Sequence, residues 1–409
     1  MIWYIIICLC SVNSFIIHNK KNSGEKRYNP FNKWIKSPIP KPESQLSPID
    51  NSNREIDQKY GQYWFVVEES LQVKVNKLYK CMIREKEYVF WKDSQNQFTA
   101  MDSYCNHRGA DLSTGKIRRT RVICPYHGAE FNRKGELCKI PGMDIENKSS
   151  LGTCFYQDTY PIFEKNGWVY LNTVSKKIYE SKNHTIYIEP ESNDSAFHCL
   201  YLKSEIKAPS RIVSENLLDV IHISYVHTFG NKENPLPLND PIAFQKKDIP
   251  NHYAIQYFYK SGPKSFVKRF FQFADLQIEN EFILPHTVIS RVRFGDSVKT
   301  IITFSLPKTE KETTLFMKVY RNFVYCPNPS VFGYIYNFIM NKIVTKVVCD
   351  TIEEDVKILE NIHIEKVNGK YNVKYDRFPN MYRKMYEKIY GKKIWEKKDK
   401  DNEKIEDIK

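Results

Sequence analysis

The residues of this chain whose types and spacing could do chemistry lie between Cys105 and Gly128, in the run CNHRGADLSTGKIRRTRVICPYHG. It holds Cys105-x-His107, sixteen further residues, and then Cys124-x-x-His127. Two sulfurs and two imidazoles on two short loops can chelate a metal centre, and each loop offers one of each kind. That suits a [2Fe–2S] cluster of mixed ligation, in which both cysteines bind one iron and both histidines the other, raising the reduction potential. A Cys2His2 zinc site is the competing reading, but its usual order, a Cys pair followed by a His pair, is absent. Gly109 and Gly128 flank the ligands and predict φ > 0 turns that bring backbone N–H groups towards the sulfides. Arg108 is a candidate for a supporting role beside the ligands. Pro125 and Tyr126 shape the second loop, with the tyrosine placed to hydrogen-bond a sulfur. Cys138, in the downstream run GELCKIP, reads as a packed thiol and not a fifth ligand.

A second constellation runs from Glu215 through Asn216, Asp219 and His222 to His227. Its apolar neighbours predict a largely buried helical segment, where one aspartate and two histidines are expensive unless paired or bound to metal. Asp219 and His222, three apart, are expected to share one helical face. His222 and His227 are five apart, about 140° around a helix that steps about 100° per residue. They can converge only if the helix is distorted, as by a π-bulge, or ends between them. Further on, Asp350, Glu353, Glu354 and Asp355 are candidate carboxylate ligands. Most of the four are expected to be solvated charges; Ile352, Val356 and Leu359 mark the buried stripe, and Asp355 beside it is the inward-facing choice.

Those residues need elements to position them. At 409 residues, with 14% aromatics, the chain can build two or three domains with a sizeable core and is not of disordered composition. Short β-rich runs (63–67, 88–92, 98–101, 129–132, 168–172) predict a small all-β domain over residues 59–174 that carries the cluster loops at one end. The region 175–390 predicts a catalytic domain: a multi-stranded antiparallel sheet from Tyr253 to Phe323, flanked by helices, giving an α+β protein. The aromatic segment Tyr257–Phe273 reads as core, with a pocket wall as the alternative. A helix is expected from Val331 through residue 363; Lys342 and Lys346 interrupt its apolar run, so it should rest on a membrane surface at most. Residues 1–17 resemble the apolar core of a signal peptide, residues 18–58 are Pro-containing and basic in their first half, and residues 391–409 form a charged tail. The leader predicts entry to a plastid by the secretory route, with an endoplasmic reticulum signal anchor as the alternative. Of the ten cysteines, two sit in the cluster motif and two (Cys8, Cys10) in the N-terminal apolar run; the remaining six are scattered, as free thiols in a reducing compartment are. The formal charge of +14 comes from 62 basic and 48 acidic residues that interleave along the chain, which argues against a nucleic-acid partner and leaves room for an acidic electron donor.

With CxHRGAxLSxG, CPYHG and Asn216-x-x-Asp219-x-x-His222-x4-His227 in one chain, the sequence resembles the Rieske non-haem iron oxygenases over roughly residues 60–390. IEEDVKIL resembles the segment that supplies the family's third iron ligand, here Asp355. Within the family, CPYHG, GELCKIP and ENLLDVIH look most like the plastid and cyanobacterial branch of chlorophyllide a oxygenase, pheophorbide a oxygenase and the translocon Rieske protein. Ala129 stands where a tryptophan is common, and the C-terminal CxxC and paired membrane helices of part of that branch are absent from the sequence. The resemblance implies a [2Fe–2S] cluster on Cys105, His107, Cys124 and His127, and Fe(II) on His222, His227 and Asp355. It also implies O2, a ferredoxin or ferredoxin-reductase-type donor, an apolar organic substrate such as a chlorophyllide- or pheophorbide-like molecule, and a homotrimer in which Asp219 bridges the two centres across subunits. A non-catalytic redox or translocon-associated protein and a sterol desaturase are the alternatives.

Overall fold

The computed structural model describes residues 63–142, 156–179, 186–265, 275–327, 330–367 and 371–391. The leader, the basic segment, the tail beyond Gly391 and the aromatic segment beyond Ser265 lie outside the described residues.

The first half is built of short antiparallel strands: β1 (Phe65–Glu69), β2 (Leu78–Ile83), β3 (Lys86–Lys92), β4 (Phe98–Asp102), β5 (Lys116–Arg118), β6 (Arg121–Ile123), β7 (Glu130–Phe131), β8 (Leu137–Lys139), β9 (Thr159–Tyr160), β10 (Ile162–Lys165) and β11 (Trp168–Leu171). They form three small sheets, ordered β1-β11-β10, β2-β3-β4-β9 and β5-β6-β7-β8. The strands β5 and β6 are only three residues each and β2 shows no apolar–polar alternation, so none of the three was signalled in the sequence. The β5-β8 sheet and the strand ends of β3 and β4 enclose a core of Val89, Trp91, Met101, Leu112, Val122 and Phe131 that includes both Cys105 and Cys124. Ala129 is buried in the same core beside the two cysteines, so the small residue there is part of their packing.

The second half is a seven-stranded antiparallel sheet, order β12-β18-β17-β16-β15-β14-β13. Its strands are β12 (His198–Ile206), β13 (Ile242–Gln245), β14 (His252–Lys260), β15 (Asp275–Ile283), β16 (Thr287–Phe294), β17 (Ser297–Thr309) and β18 (Glu312–Arg321). Tyr257 and Tyr259, within the aromatic segment, are buried in β14 as core. Strand β12 escaped the sequence because its partner is β18, with His198 opposite Arg321, a pairing across more than a hundred residues.

Helices α1 (Ser210–Leu218), α2 (His222–Val226), α3 (Val331–Leu359) and α4 (Arg377–Tyr390) accompany the sheet. Side chains alternate across a strand, so β18 serves two cores. Phe316 and Tyr320 join Phe65, Tyr88 and Trp168 of the β domain, while Leu315 and Met317 pack with Ile212, Val213 and Leu359 of the helices. With both faces covered, β18 is buried along nearly its whole length and reads as a continuous run, not an alternating one. Between the two halves, Lys318 is buried with its ammonium 2.6 Å from Glu189 and 4.1 Å from the centre of the Trp168 ring.

Candidate metal centres

The two cluster loops follow β4 and β6, and their backbones close in the same way. The Cys105 N–H donates to the Ala110 carbonyl (2.9 Å) and its carbonyl accepts from Gly109 N–H (2.8 Å). The Cys124 N–H donates to the Ala129 carbonyl (2.8 Å) and its carbonyl accepts from Gly128 N–H (3.1 Å). Gly109 and Gly128 both take positive φ (68° and 72°), where a side chain would be strained. This geometry buries the two thiols and leaves the imidazoles outward: His107 is exposed, His127 half-buried, and their ring centres are 4.7 Å apart. Burial pushes the Cys105 thiol up to about 11, with Cys124 beside it adding to the rise. Thiols held in such a place become thiolates through a bound metal. An inner sulfur pair and an outer imidazole pair fit a [2Fe–2S] cluster of mixed ligation. Tyr126 lays its ring 3.8 Å from that of His127. Arg108 is exposed. Gln157, which the sequence did not single out, is fully buried; it accepts from Asn106 N–H (3.1 Å) and donates to the Tyr104 carbonyl (2.7 Å), pinning the first loop.

The segment from Asn216 to His227 is not one helix. Helix α1 stops at Leu218 and Asp219 takes an extended conformation, so Asp219 and His222 do not share a helical face. The cause is the aspartate itself: its Oδ1 accepts the backbone N–H groups of Ile221 (2.8 Å) and His222 (3.2 Å), an Asx-type turn that competes with helix continuation. At the other end α2 stops at Val226 and His227 is extended (φ −87°, ψ 139°). The histidines converge because the helix ends between them, not through a π-bulge. Gly230 lets the chain turn back closely, since a Cβ there would meet the Ile223 carbonyl at 2.2 Å.

His222, His227 and Asp355 bring one ligand atom each within 4.8 Å of one another. Both Nε2 atoms lie 3.6 Å from Asp355 Oδ1, which is buried and has no hydrogen-bond partner. Nδ1 of His222 faces the Asp219 carbonyl at 3.0 Å; a carbonyl only accepts, so the proton sits on Nδ1 and the Nε2 lone pair faces Asp355. Nδ1 of His227 faces the Glu354 carboxylate at 3.0 Å and is held in the same tautomer. Burial also lowers the His227 pKa, against the raising influence of Asp355. Two lone pairs and a carboxylate oxygen turned on one another repel, and a cation at their centre converts that repulsion into coordination. The residues present fit Fe(II).

Glu354 is therefore not the solvated charge expected of it. It holds His227 and also accepts the Thr228 N–H (3.3 Å). Asp350 does behave as an exposed charge, paired with Lys346 at 3.0 Å. The Asn216 backbone carbonyl accepts the Asp219 N–H (3.1 Å), and the Asn216 side-chain Nδ2 is buried without a hydrogen-bond partner.

Fold and site together define a two-domain protein with two metal centres, an iron–sulfur carrier followed by a mononuclear site. The Rieske [2Fe-2S] domain family matches residues 63–155, and the vanillate O-demethylase oxygenase C-terminal domain family matches residues 206–390. The chain belongs to the Rieske-type non-haem iron oxygenases, whose cofactors are a [2Fe–2S] cluster and mononuclear Fe(II). It is similar to "Chlorophyllide a oxygenase, chloroplastic" of Chlamydomonas reinhardtii, 24% identical over 185 residues, which are 43% of this chain and 26% of that protein. It is similar to "Flavonoid 8-hydroxylase 2, chloroplastic" of Ocimum basilicum, 33% identical over 150 residues, 34% of this chain and 28% of that protein. The chain thus spans little more than a quarter of the length of these curated relatives. Among solved structures, dicamba monooxygenase bound to dicamba superposes with a TM-score of 0.66 at 16% identity, covering 81% of this chain and 97% of that one, a likeness of fold.

Proposed function

We propose that this protein is a monooxygenase that uses O2, and electrons relayed through its cluster, to hydroxylate or oxidatively modify a large apolar substrate. The observation that carries the reading is the convergence of two Nε2 lone pairs and an unpartnered carboxylate oxygen at His222, His227 and Asp355. Cys105, Cys124, His107 and His127 are the proposed cluster ligands, and the triad the proposed iron ligands. When bound, the cluster supplies single electrons and the two-histidine, one-carboxylate iron offers open positions for oxygen. The chain's own part is to keep both ligand protons on Nδ1, through the Asp219 carbonyl and Glu354, and to bury Asp355 and His227 away from water.

Asp219, half-buried at the break between α1 and α2, is the proposed bridge between this site and a cluster histidine of a neighbouring copy in a homotrimer, with Asn216 beside it. The proposed donor is a ferredoxin or ferredoxin reductase. A chlorophyllide- or pheophorbide-like substrate, or a related one, is supported by the likeness to chlorophyllide a oxygenase. A plastid location is supported by the chloroplastic relatives; entry by the secretory route is proposed from the leader sequence alone. None of the described helices is long and apolar enough to cross a membrane. Peripheral membrane contact is supported by the exposed Phe332, Tyr334, Ile335 and Phe338 on α3.

The test is anaerobic reconstitution with iron and sulfide, then oxygen uptake with chlorin, sterol and aromatic substrates. The expected result is three irons per chain and uptake coupled to product. Two irons and no uptake would favour a redox relay, and tight zinc without sulfide would overturn the reading.

A further inference from the structure

The sheet β5-β6-β7-β8 has one apolar face and one charged face, and strand register assigns each residue to its side. Ile117, Val122 and Phe131 lie opposite one another in turn and pack in the core that holds Cys105 and Cys124. On the other face Arg118 is opposite Arg121, Lys116 opposite Ile123, Ile123 opposite Glu130, and Glu130 opposite Lys139. Directly opposed residues share a face, so this side carries four cations and one acid. Arg119, in the β5–β6 turn at φ 57°, adds a fifth cation. All five are exposed, the Arg118 side chain to 64% and that of Arg121 to 45%. Glu130 is buried beneath those two arginines, 3.0 Å and 3.4 Å from their Nη1 atoms, so its charge is already matched. Among the described residues no carboxylate pairs with Lys116, Arg119 or Lys139. The excess belongs to this stretch and not to the chain at large: residues 105–142 hold eight basic and three acidic residues, against 62 and 48 in all. Of the two other acids there, Asp111 pairs with Lys80 (2.9 Å) and Glu136 accepts from Asn132 (2.7 Å).

We propose that this cationic face is where the electron donor docks, and that the donor is an acidic one-electron carrier protein of the ferredoxin kind. Position is the first reason. The face is the outside of the sheet whose inside packs with both cysteines, and β6 runs directly into Cys124, three residues or about 10 Å of strand beyond Arg121. Charge is the second. A field of one sign concentrates an oppositely charged protein and speeds its encounter, and it repels the same face of a second copy. Polarity is the third. No large apolar side chain is exposed between Leu112 and Pro125 or between His127 and Gly142, so the face lacks the apolar anchors of a surface that lies on a membrane. The step passes one electron from the reduced donor, which is oxidised, to this chain's cluster, which is reduced; no bond forms or breaks. It runs downhill, because imidazole ligation raises the cluster's potential above that of plant-type ferredoxins. The inference rests on the oxygenase reading for the class of donor, and adds the surface on which the two proteins meet.

The experiment uses the full chain loaded with iron and sulfide, with an acidic plant-type [2Fe–2S] ferredoxin as the probe. Reduction of the cluster, followed anaerobically by its visible absorption, should slow about ten-fold as ionic strength rises from about 0.01 M to about 0.1 M and the screening length falls from about 30 Å to about 10 Å. At the lower salt, Lys116→Glu combined with Arg119→Glu should slow it about ten-fold while the cluster spectrum stays unchanged. Oxidised ferredoxin, which transfers no electron, should bind this double variant about ten-fold more weakly. Lys247→Glu combined with Lys366→Glu makes the same change in net charge at exposed positions of the catalytic half, and should leave both quantities within about two-fold of wild type. Rates indifferent to salt and to the reversal at Lys116 and Arg119 would overturn the proposal. So would an equal loss in the Lys247 and Lys366 control, which would assign the effect to net charge alone. Capture of the chain by phosphatidylserine vesicles through Lys116 and Arg119, with ferredoxin unaffected, would overturn it too and assign the face to a membrane. A third iron missing while the salt and variant effects persist would sink the oxygenase reading and leave the docking face standing.

Discussion

At the scale of single residues, the mononuclear site is decided by what holds the far side of each imidazole. His222 is fixed by a main-chain carbonyl and His227 by a side chain, Glu354. Only the second can be changed without rebuilding the backbone. Glu354→Gln can still accept from Nδ1 through its amide oxygen but withdraws the charge that makes the imidazole a better ligand. Loss of such a partner weakens metal binding by about 10–100-fold. The expected outcome is faster loss of the third iron to a chelator, with the visible spectrum of the cluster unchanged; retention equal to wild type would remove Glu354 from the site. In the sequence Glu354 was indistinguishable from its neighbours Glu353 and Asp350, because one position of helix phase separates a buried partner from a solvated acid and the stripe of Ile352, Val356 and Leu359 marks that phase only coarsely.

At the scale of elements, the break between α1 and α2 makes the site possible, and Asp219 both causes the break and stands as the proposed electron bridge. Its two roles separate by substitution. Asn can still accept the Ile221 and His222 N–H groups through its amide oxygen, whereas Ala leaves them without that acceptor, at a cost of about 1 kcal/mol. Asp219→Asn should therefore keep wild-type stability and the cluster spectrum yet lose most turnover, while Asp219→Ala should lose turnover and about 1 kcal/mol in urea unfolding as well. Near-normal product formation by the Asn variant would end the bridging role. The sequence showed that His222 and His227 could not meet on a regular helix. It did not show which distortion wins, since that depends on two backbone N–H groups choosing a carboxylate over the preceding turn.

At the scale of the whole molecule, the β domain is not a loosely tethered module but shares a core with the large sheet. His286 sits in that seam, fully buried, with its ring 5.4 Å from Phe65 and 5.6 Å from Phe304 and its Nε2 2.9 Å from the Tyr390 hydroxyl. Burial, aided by Arg84, pushes its pKa down to about 3. An unfolded histidine titrates near 6.5, so the unfolded state binds the extra proton first. The neutral histidine's contribution is complete above about pH 6.5 and is lost as pH falls towards about 3. In that window the slope for one such group approaches about 1.4 kcal/mol per pH unit. His286→Gln should accordingly show a shallower acid-side fall in urea stability between pH 6 and pH 4 than wild type. Parallel curves would show that the seam does not hold this histidine neutral.

The candidate metal donors and their order, the α+β division and the cofactor pair were legible in the sequence, because ligand type and local spacing are one-dimensional quantities. Cys105-x-His107 and Cys124-x-x-His127 state their loops directly, and so does the positive-φ glycine after each. The tertiary structure alone decided three things. It brought Asp355 across more than a hundred residues to the two histidines, made Glu354 and not Asp350 the partner of His227, and placed His198, Arg321 and Lys299 in one row. Each of these depends on helix phase or strand register, which are set by long-range packing and not by neighbours in the chain.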